Sequence, residues 1–194
     1  MTAMEKTPIL VGITGASGTP LAVECLRQLR KHPEYEIHLI LTQSARLALS
    51  QETTLTVAEF EAMADVVHDN DSRGDAPASG TFRSAGMLIV PCSMKTAAGI
   101  CAGYADSLLL RAADVTIKEK RPLVLAARET PLSPIHLRNL AELARLQNVW
   151  IVPPMLSYYD HPVTVEDMTR QAAGKLLNCF GIEAEGYKRW NGPV

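Results

Sequence analysis

The chain has 194 residues, 47% of them hydrophobic and 21% charged, with 19 Lys plus Arg against 21 Asp plus Glu for a net charge of −2. That length suits one domain, read as 1–194 with 181–194 a C-terminal tail, and the near-neutral balance excludes a general nucleic-acid binder, which carries a basic stripe. No apolar run reaches the ~18 residues of a membrane helix, and Met1 to Leu10 lack the apolar core of a signal peptide, so the expectation is a cytoplasmic protein without membrane or nucleic-acid partners.

In chain order, Pro8 to Thr14 is a short apolar run leading into glycines, the pattern of a buried strand. Leu21 to Arg30 then places apolar residues at 21, 22, 25, 26 and 29, a helical stripe. Glu36 to Thr42 is a second strand, rich in branched residues. Ser44 to Ser50 and Val57 to Ala64 read as helices, and Asn70 to Gly80 as a polar loop. Gly86 to Pro91 is a third strand. Lys95 to Ala102 and Ser107 to Lys118 are helices broken near Gly103. Pro122 to Ala127 is a fourth strand, and Ser133 to Leu146 a helix with Ser133 as N-cap. Val149 to Val152 is a fifth strand stopped by Pro153-Pro154, and Val165 to Phe180 a last helix ended by Gly181. Strands alternating with helices predict an α/β fold, a parallel sheet with helices on both faces.

Ligands of such sheets bind beyond the carboxyl ends of the strands. The segments there are Thr14 to Gly18, Thr42 to Ser44, Cys92 to Thr96, Arg128 to Thr130 and Pro153 to His161, a concentration of hydroxyls with an Arg-Glu and a Tyr-Tyr pair. Gly12-Ile-Thr-Gly-Ala-Ser-Gly18 lets the backbone approach a ligand and aims helix-start amides at an anion. It is not the Gly-x-Gly-x-x-Gly of dinucleotide sites, and no acid follows the second strand to grip a ribose. Cys92 is a small buried residue, or a thiol of lowered pKa if it faces a helix N-terminus. Arg128-Glu129 suits either an ion pair or a site that holds an anion and moves a proton. Lys118, Lys120 and Arg121 read as a solvated basic cluster, and Lys175 as a surface lysine. The four cysteines and five histidines lack metal-ligand spacing, so no metal is expected.

Four segments together resemble the flavin prenyltransferase family: Gly12 to Gly18, Pro91 to Thr96, Arg111 to Val115 with Lys118-Glu119, and Arg121 to Ser133. The likeness runs from about Ile9 to Trp190, and Pro91-Cys-Ser-Met-Lys-Thr96 is most like the branch accompanying aromatic-acid decarboxylases. The resemblance implies a flavodoxin-like Rossmann fold in a homododecamer with sites shared between subunits. It implies a metal-independent transferase that joins a dimethylallyl group from dimethylallyl phosphate to reduced FMN, at N5 and an adjacent ring carbon, and delivers prenylated FMN to a separate decarboxylase. By position, Gly15, Ala16, Ser17, Thr42, Ser93, Met94, Lys95, Thr96 and Arg128 match the flavin site. Ser17, Glu52 and Glu129 match residues of proton handling. Lys118, Arg128, Tyr159 and Lys175 match the holders of the prenyl phosphate, and Trp190 an aromatic beside the prenyl chain. Position 175 is Lys where many members have Arg. Two other readings compete: an FMN-dependent cysteine-type decarboxylase of the same fold, and a non-enzymatic FMN-binding subunit of a decarboxylase.

Overall fold

A computed structural model describes residues 6–192; the ends of the domain reading, 1–5 and 193–194, lie outside the described residues. Six parallel strands form one sheet: β1 (Thr7–Ile13), β2 (Tyr35–Leu41), β3 (Val66–Asp69), β4 (Met87–Cys92), β5 (Leu123–Ala127) and β6 (Val149–Ile151), in the order β3-β2-β1-β4-β5-β6. The helices are α1 (Thr19–Leu29), α2 (Gln43–Glu52), α3 (Val57–Glu61), α4 (Met94–Cys101), α5 (Leu108–Lys118), α6 (Pro134–Ala144) and α7 (Val165–Asn178).

The pleat sends alternate side chains of β1 to opposite faces. Ile9, Val11 and Ile13 meet a cluster that includes Leu26 and Leu29 of α1 and Leu176 and Leu177 of α7. Leu10 joins the opposite cluster with Ile100 of α4, Leu108 and Leu109 of α5 and Leu143 of α6. Both faces of the sheet are therefore covered, and the central strands are near-continuous apolar runs for that reason.

The five strands read from sequence are present, and their order without β3 is that of the flavodoxin-like sheets. The sixth, β3, is a departure from that reading. The helix expected over Val57 to Ala64 ends at Glu61, and the chain turns to run beside β2, with the Asp65 carboxylate accepting from Ile37 N–H at 2.8 Å. A further tie between β2 and β3 is a buried imidazole pair, His38 Nδ1 to His68 Nε2 at 2.9 Å, flanked by the carboxylates of Glu36 and Asp75. The Asn70 to Gly80 loop holds a single 3-10 turn at Ala76–Ala78.

Strand order reverses between β1 and β4, whose connections leave in opposite directions. The crevice beyond their carboxyl ends is the topological switch point, where open α/β sheets place their ligands. Thr14 closes its floor: its hydroxyl donates to the Pro91 carbonyl at 2.7 Å and accepts from Ser93 N–H at 2.9 Å.

Candidate active site

The loop between β1 and α1 carries the tightest local constraint. Gly18, the N-cap of α1, has φ 127 and no side chain to cap the helix. Glu52, from the last turn of α2, supplies the missing carboxylate: its Oε2 accepts from Gly18 N–H, Thr19 N–H and the Thr19 hydroxyl, each at 2.8 Å. Partial desolvation raises the Glu52 pKa. The Ser17 hydroxyl and the Gly18 and Thr19 donors outweigh it, and the carboxyl stays below its ordinary value. The anion expected at this helix start is thus a side chain of the protein itself. Gly15 rests on α2 so closely that an added Cβ would stand 2.3 Å from Ser44 Cβ.

With the α1 terminus occupied, two others remain open at the crevice. Thr42 and Ser93 cap α2 and α4 through Ala45 N–H at 3.1 Å and Thr96 N–H at 3.3 Å. The amides of Gln43, Ser44, Met94 and Lys95 donate to no acceptor among the described residues. First-turn amides of this kind attract phosphate. Met94 offers only backbone, because its side chain belongs to the core with Ala97 and Ile100. Cys92 is fully buried and its thiol is pushed up to about 12 by desolvation, which excludes the lowered pKa considered from sequence.

Arg128 and Glu129 follow β5 onto the same rim. They form no ion pair with each other among the described residues; Glu129 instead accepts from Thr130 N–H at 3.0 Å, and both side chains are exposed. Ser17, Glu52, Thr42, Ser93 to Thr96, Arg128 and Glu129 therefore share one edge of the sheet.

Tyr159, Lys175 and Trp190 gather elsewhere, around a cavity of about 810 Å³ between β6, α7 and the tail. Ile151, Val152, Met155 and Leu176 give it apolar walls. The Tyr159 and Trp190 rings meet edge-to-face at 5.6 Å, and Lys175 joins no ion pair among the described residues. Tyr158, 65% exposed, is absent from the lining, so position 159 is the one that faces the cavity. Ser157 lines it with a buried hydroxyl that has no partner among the described residues.

Lys118 joins neither group. Leu108 N–H at the start of α5 donates to Asn70 O just past β3, while the Lys120 carbonyl beyond its end accepts from Asn148, next to the start of β6. Lys118 thus stands at the amino edge of the sheet, ion-paired with Glu119. The neighbouring Arg121 is structural rather than solvated, donating to the carbonyls of Phe82 and Gly80 at 2.5 and 3.0 Å.

Sequence reasoning missed Glu52 as the cap of α1, Ser44 as the seat of Gly15, and Gln171. The last lies on α7 one turn before Lys175, an i, i+4 spacing that places both on one helix face.

Residues 1–177 match the family model described as Flavoprotein. The chain is 48% identical over 184 residues to the flavin prenyltransferase LpdB of Lactiplantibacillus plantarum, covering 95% of this chain and 98% of the relative. It is similar to the structure of AnUbiX (PadA1) in complex with FMN and dimethylallyl pyrophosphate, with a TM-score of 0.94, 40% identity and coverage of 98% and 100% of the two chains. A dodecameric FMN-dependent UbiX-like decarboxylase from Escherichia coli O157:H7 matches with a TM-score of 0.93, 45% identity and coverage of 96% and 100%. The FMN-dependent cysteine decarboxylase TvaF shares the fold alone, at 18% identity and a TM-score of 0.61.

Proposed function

The chain belongs to the flavin prenyltransferases, within the wider Flavoprotein family, and from that membership we propose how its residues divide the transfer of a dimethylallyl group to FMN. Reduced FMN, when bound, supplies the electron-rich ring that accepts the prenyl carbon. Gly15, Ala16 and the open amides of α2 and α4 hold it, with Thr42, the Ser93 to Thr96 turn and Arg128 around it. The Gly15 contact with Ser44 and the unclaimed amides support this assignment, because they leave backbone donors and no side chain in the way.

Ser17 sits next to an ionised Glu52, a carboxylate suited to accept the hydroxyl proton and leave the Ser17 lone pairs for a ring N–H. On the prenyl side, the allylic C–O bond breaks with its electron pair leaving on phosphate. Lys175, Tyr159 and Arg128 stabilise that growing charge, and a second subunit's Lys118 adds to it. The Tyr159 and Trp190 rings offer π-faces to the electron-poor allyl carbon in an apolar, water-poor space. Glu129 removes the ring proton.

The observation that carries the reading is the gathering of Tyr159, Lys175 and Trp190 on one apolar cavity: a cation, a phenol and π-faces suit an allylic phosphate. A cysteine decarboxylase needs no such set. Lys175→Ala is expected to raise KM for the prenyl phosphate about tenfold, the loss of a charge-assisted contact, while the FMN Kd from fluorescence quenching stays unchanged. An unaltered KM contradicts the assignment.

The product's recipient is proposed to be a separate aromatic-acid decarboxylase, supported by the likeness of Pro91 to Thr96 to the branch that accompanies such enzymes. No helix among the described residues is long and apolar enough to cross a membrane, and a cytoplasmic setting belongs to the same proposal.

A further inference from the structure

Gln171 is a buried polar side chain, 5% exposed, at the base of the Tyr159 cavity. Its amide makes three bonds: Nε2 donates to the Tyr159 hydroxyl at 2.6 Å and to the Lys188 carbonyl at 2.7 Å, and Oε1 accepts from Lys188 N–H at 3.0 Å. The backbone of Lys188 fixes which way the amide faces, since a carbonyl can only accept and an N–H can only donate. Nε2 therefore faces Tyr159, and the phenol oxygen must accept. The phenol proton is left to donate, and here it goes to the same Lys188 carbonyl at 2.9 Å.

We propose that Gln171 is a positioning residue for the transfer, holding Tyr159 as a hydrogen-bond donor to the prenyl phosphate. The inference rests on the prenyltransferase reading and deepens it. Two consequences of the geometry carry it. The Gln171 N–H occupies a lone pair of the phenol, so the hydroxyl can turn its proton only outward or to the tail. When the proton turns to a phosphate oxygen, the Lys188 carbonyl keeps its bond from Gln171 and is not orphaned. The switch therefore costs little, and the tail stays seated beneath Trp190. The rest of this α7 face serves the same seating. A Cβ on Gly174 would stand 2.5 Å from the Tyr187 ring, and Asn178 accepts from Arg189 at 2.8 Å.

Two variants separate positioning from mere support. Gln171→Met removes all three bonds at similar volume. Gln171→Glu keeps an acceptor for Lys188 N–H but takes the Tyr159 proton for itself. Both are to be assayed with reduced FMN and dimethylallyl monophosphate, alone and in a Tyr159→Phe background, with FMN Kd measured as a check of fold. The expected result is a fall in kcat/KM for the prenyl phosphate of about tenfold in each, the worth of one hydrogen bond, with FMN Kd near wild type. In the Tyr159→Phe background each change costs less than it does in the wild type, because only the loss of the Lys188 contacts is left. An unchanged kcat/KM in the Glu variant, or an equal fall without the Tyr159 hydroxyl, overturns the role of Gln171. If the Met variant does not fold, the Glu variant decides alone. Failure of the wild-type protein to consume the prenyl phosphate overturns the prenyltransferase reading itself, a result distinct from normal turnover with unaltered kcat/KM in the variants.

Discussion

Glu52 shows how one side chain can set a loop that 34 residues of sequence separate from it. Its carboxylate replaces the cap that Gly18 cannot provide and fixes the turn that carries Ser17. Because the folded pKa is depressed, the carboxylate's contribution is present above its ordinary value of 4.5 and is lost as pH falls through the folded value. Glu52→Ala is expected to lower stability at pH 7 by about 1 kcal/mol, allowing for partial solvent screening. The gap to wild type should close as urea midpoints are taken at pH values below 4.5. A gap that persists in acid contradicts the assignment. The Gly12 to Gly18 turn was legible in the sequence through its glycines. The identity of the anion at its helix was not, because no local spacing reports a contact between α2 and the turn before α1. Tyr159 was legible only through the family resemblance, because nothing local separates it from Tyr158; of the two, Tyr159 lines the cavity.

At the scale of elements, strands β1, β2, β4 and β5 were readable because strands covered on both faces are apolar throughout. β3 was not, since Val66–Asp69 has four residues, alternates only once and follows directly on a helical pattern. α7 forms one wall of the Tyr159 cavity. Its face of Gln171, Gly174, Lys175 and Asn178 receives the tail and lines the cavity. Gly174→Ala tests that role. A methyl would gain about 1 kcal/mol of helix propensity but collide with the Tyr187 ring, an overpacking cost of about 1–3 kcal/mol. The expected outcome is a raised KM for the prenyl phosphate and faster tryptic cleavage at Lys188 and Arg189, with FMN binding retained. Unchanged cleavage would show that the tail is held by other contacts.

Across the whole molecule, the residues matched to one reaction lie at two edges of the sheet. Ser17, Arg128 and Glu129 stand at the carboxyl edge. Lys118 stands at the amino edge, at the last of the 11 residues of α5, a rise of about 15 Å from Leu108. One chain cannot bring them together without unfolding, and a symmetric assembly can. The related UbiX-like decarboxylase is dodecameric. Mixing subunits of Lys118→Ala with subunits of Glu129→Gln, each expected to be strongly impaired alone, is expected to restore up to about a quarter of wild-type turnover, the share of sites that draw both groups from unmodified chains at equal mixing. No recovery after unfolding and co-refolding would place both groups in the same chain's site.

Transfer of the dimethylallyl group to FMN leaves a product that can be weighed. The most direct measurement is an anaerobic incubation of the protein with reduced FMN and dimethylallyl monophosphate, followed by mass spectrometry of the released flavin. The expected product is a flavin heavier by one dimethylallyl-derived unit, formed only when both substrates are present. Unchanged FMN, released from protein shown to have bound it, would overturn the prenyl transfer.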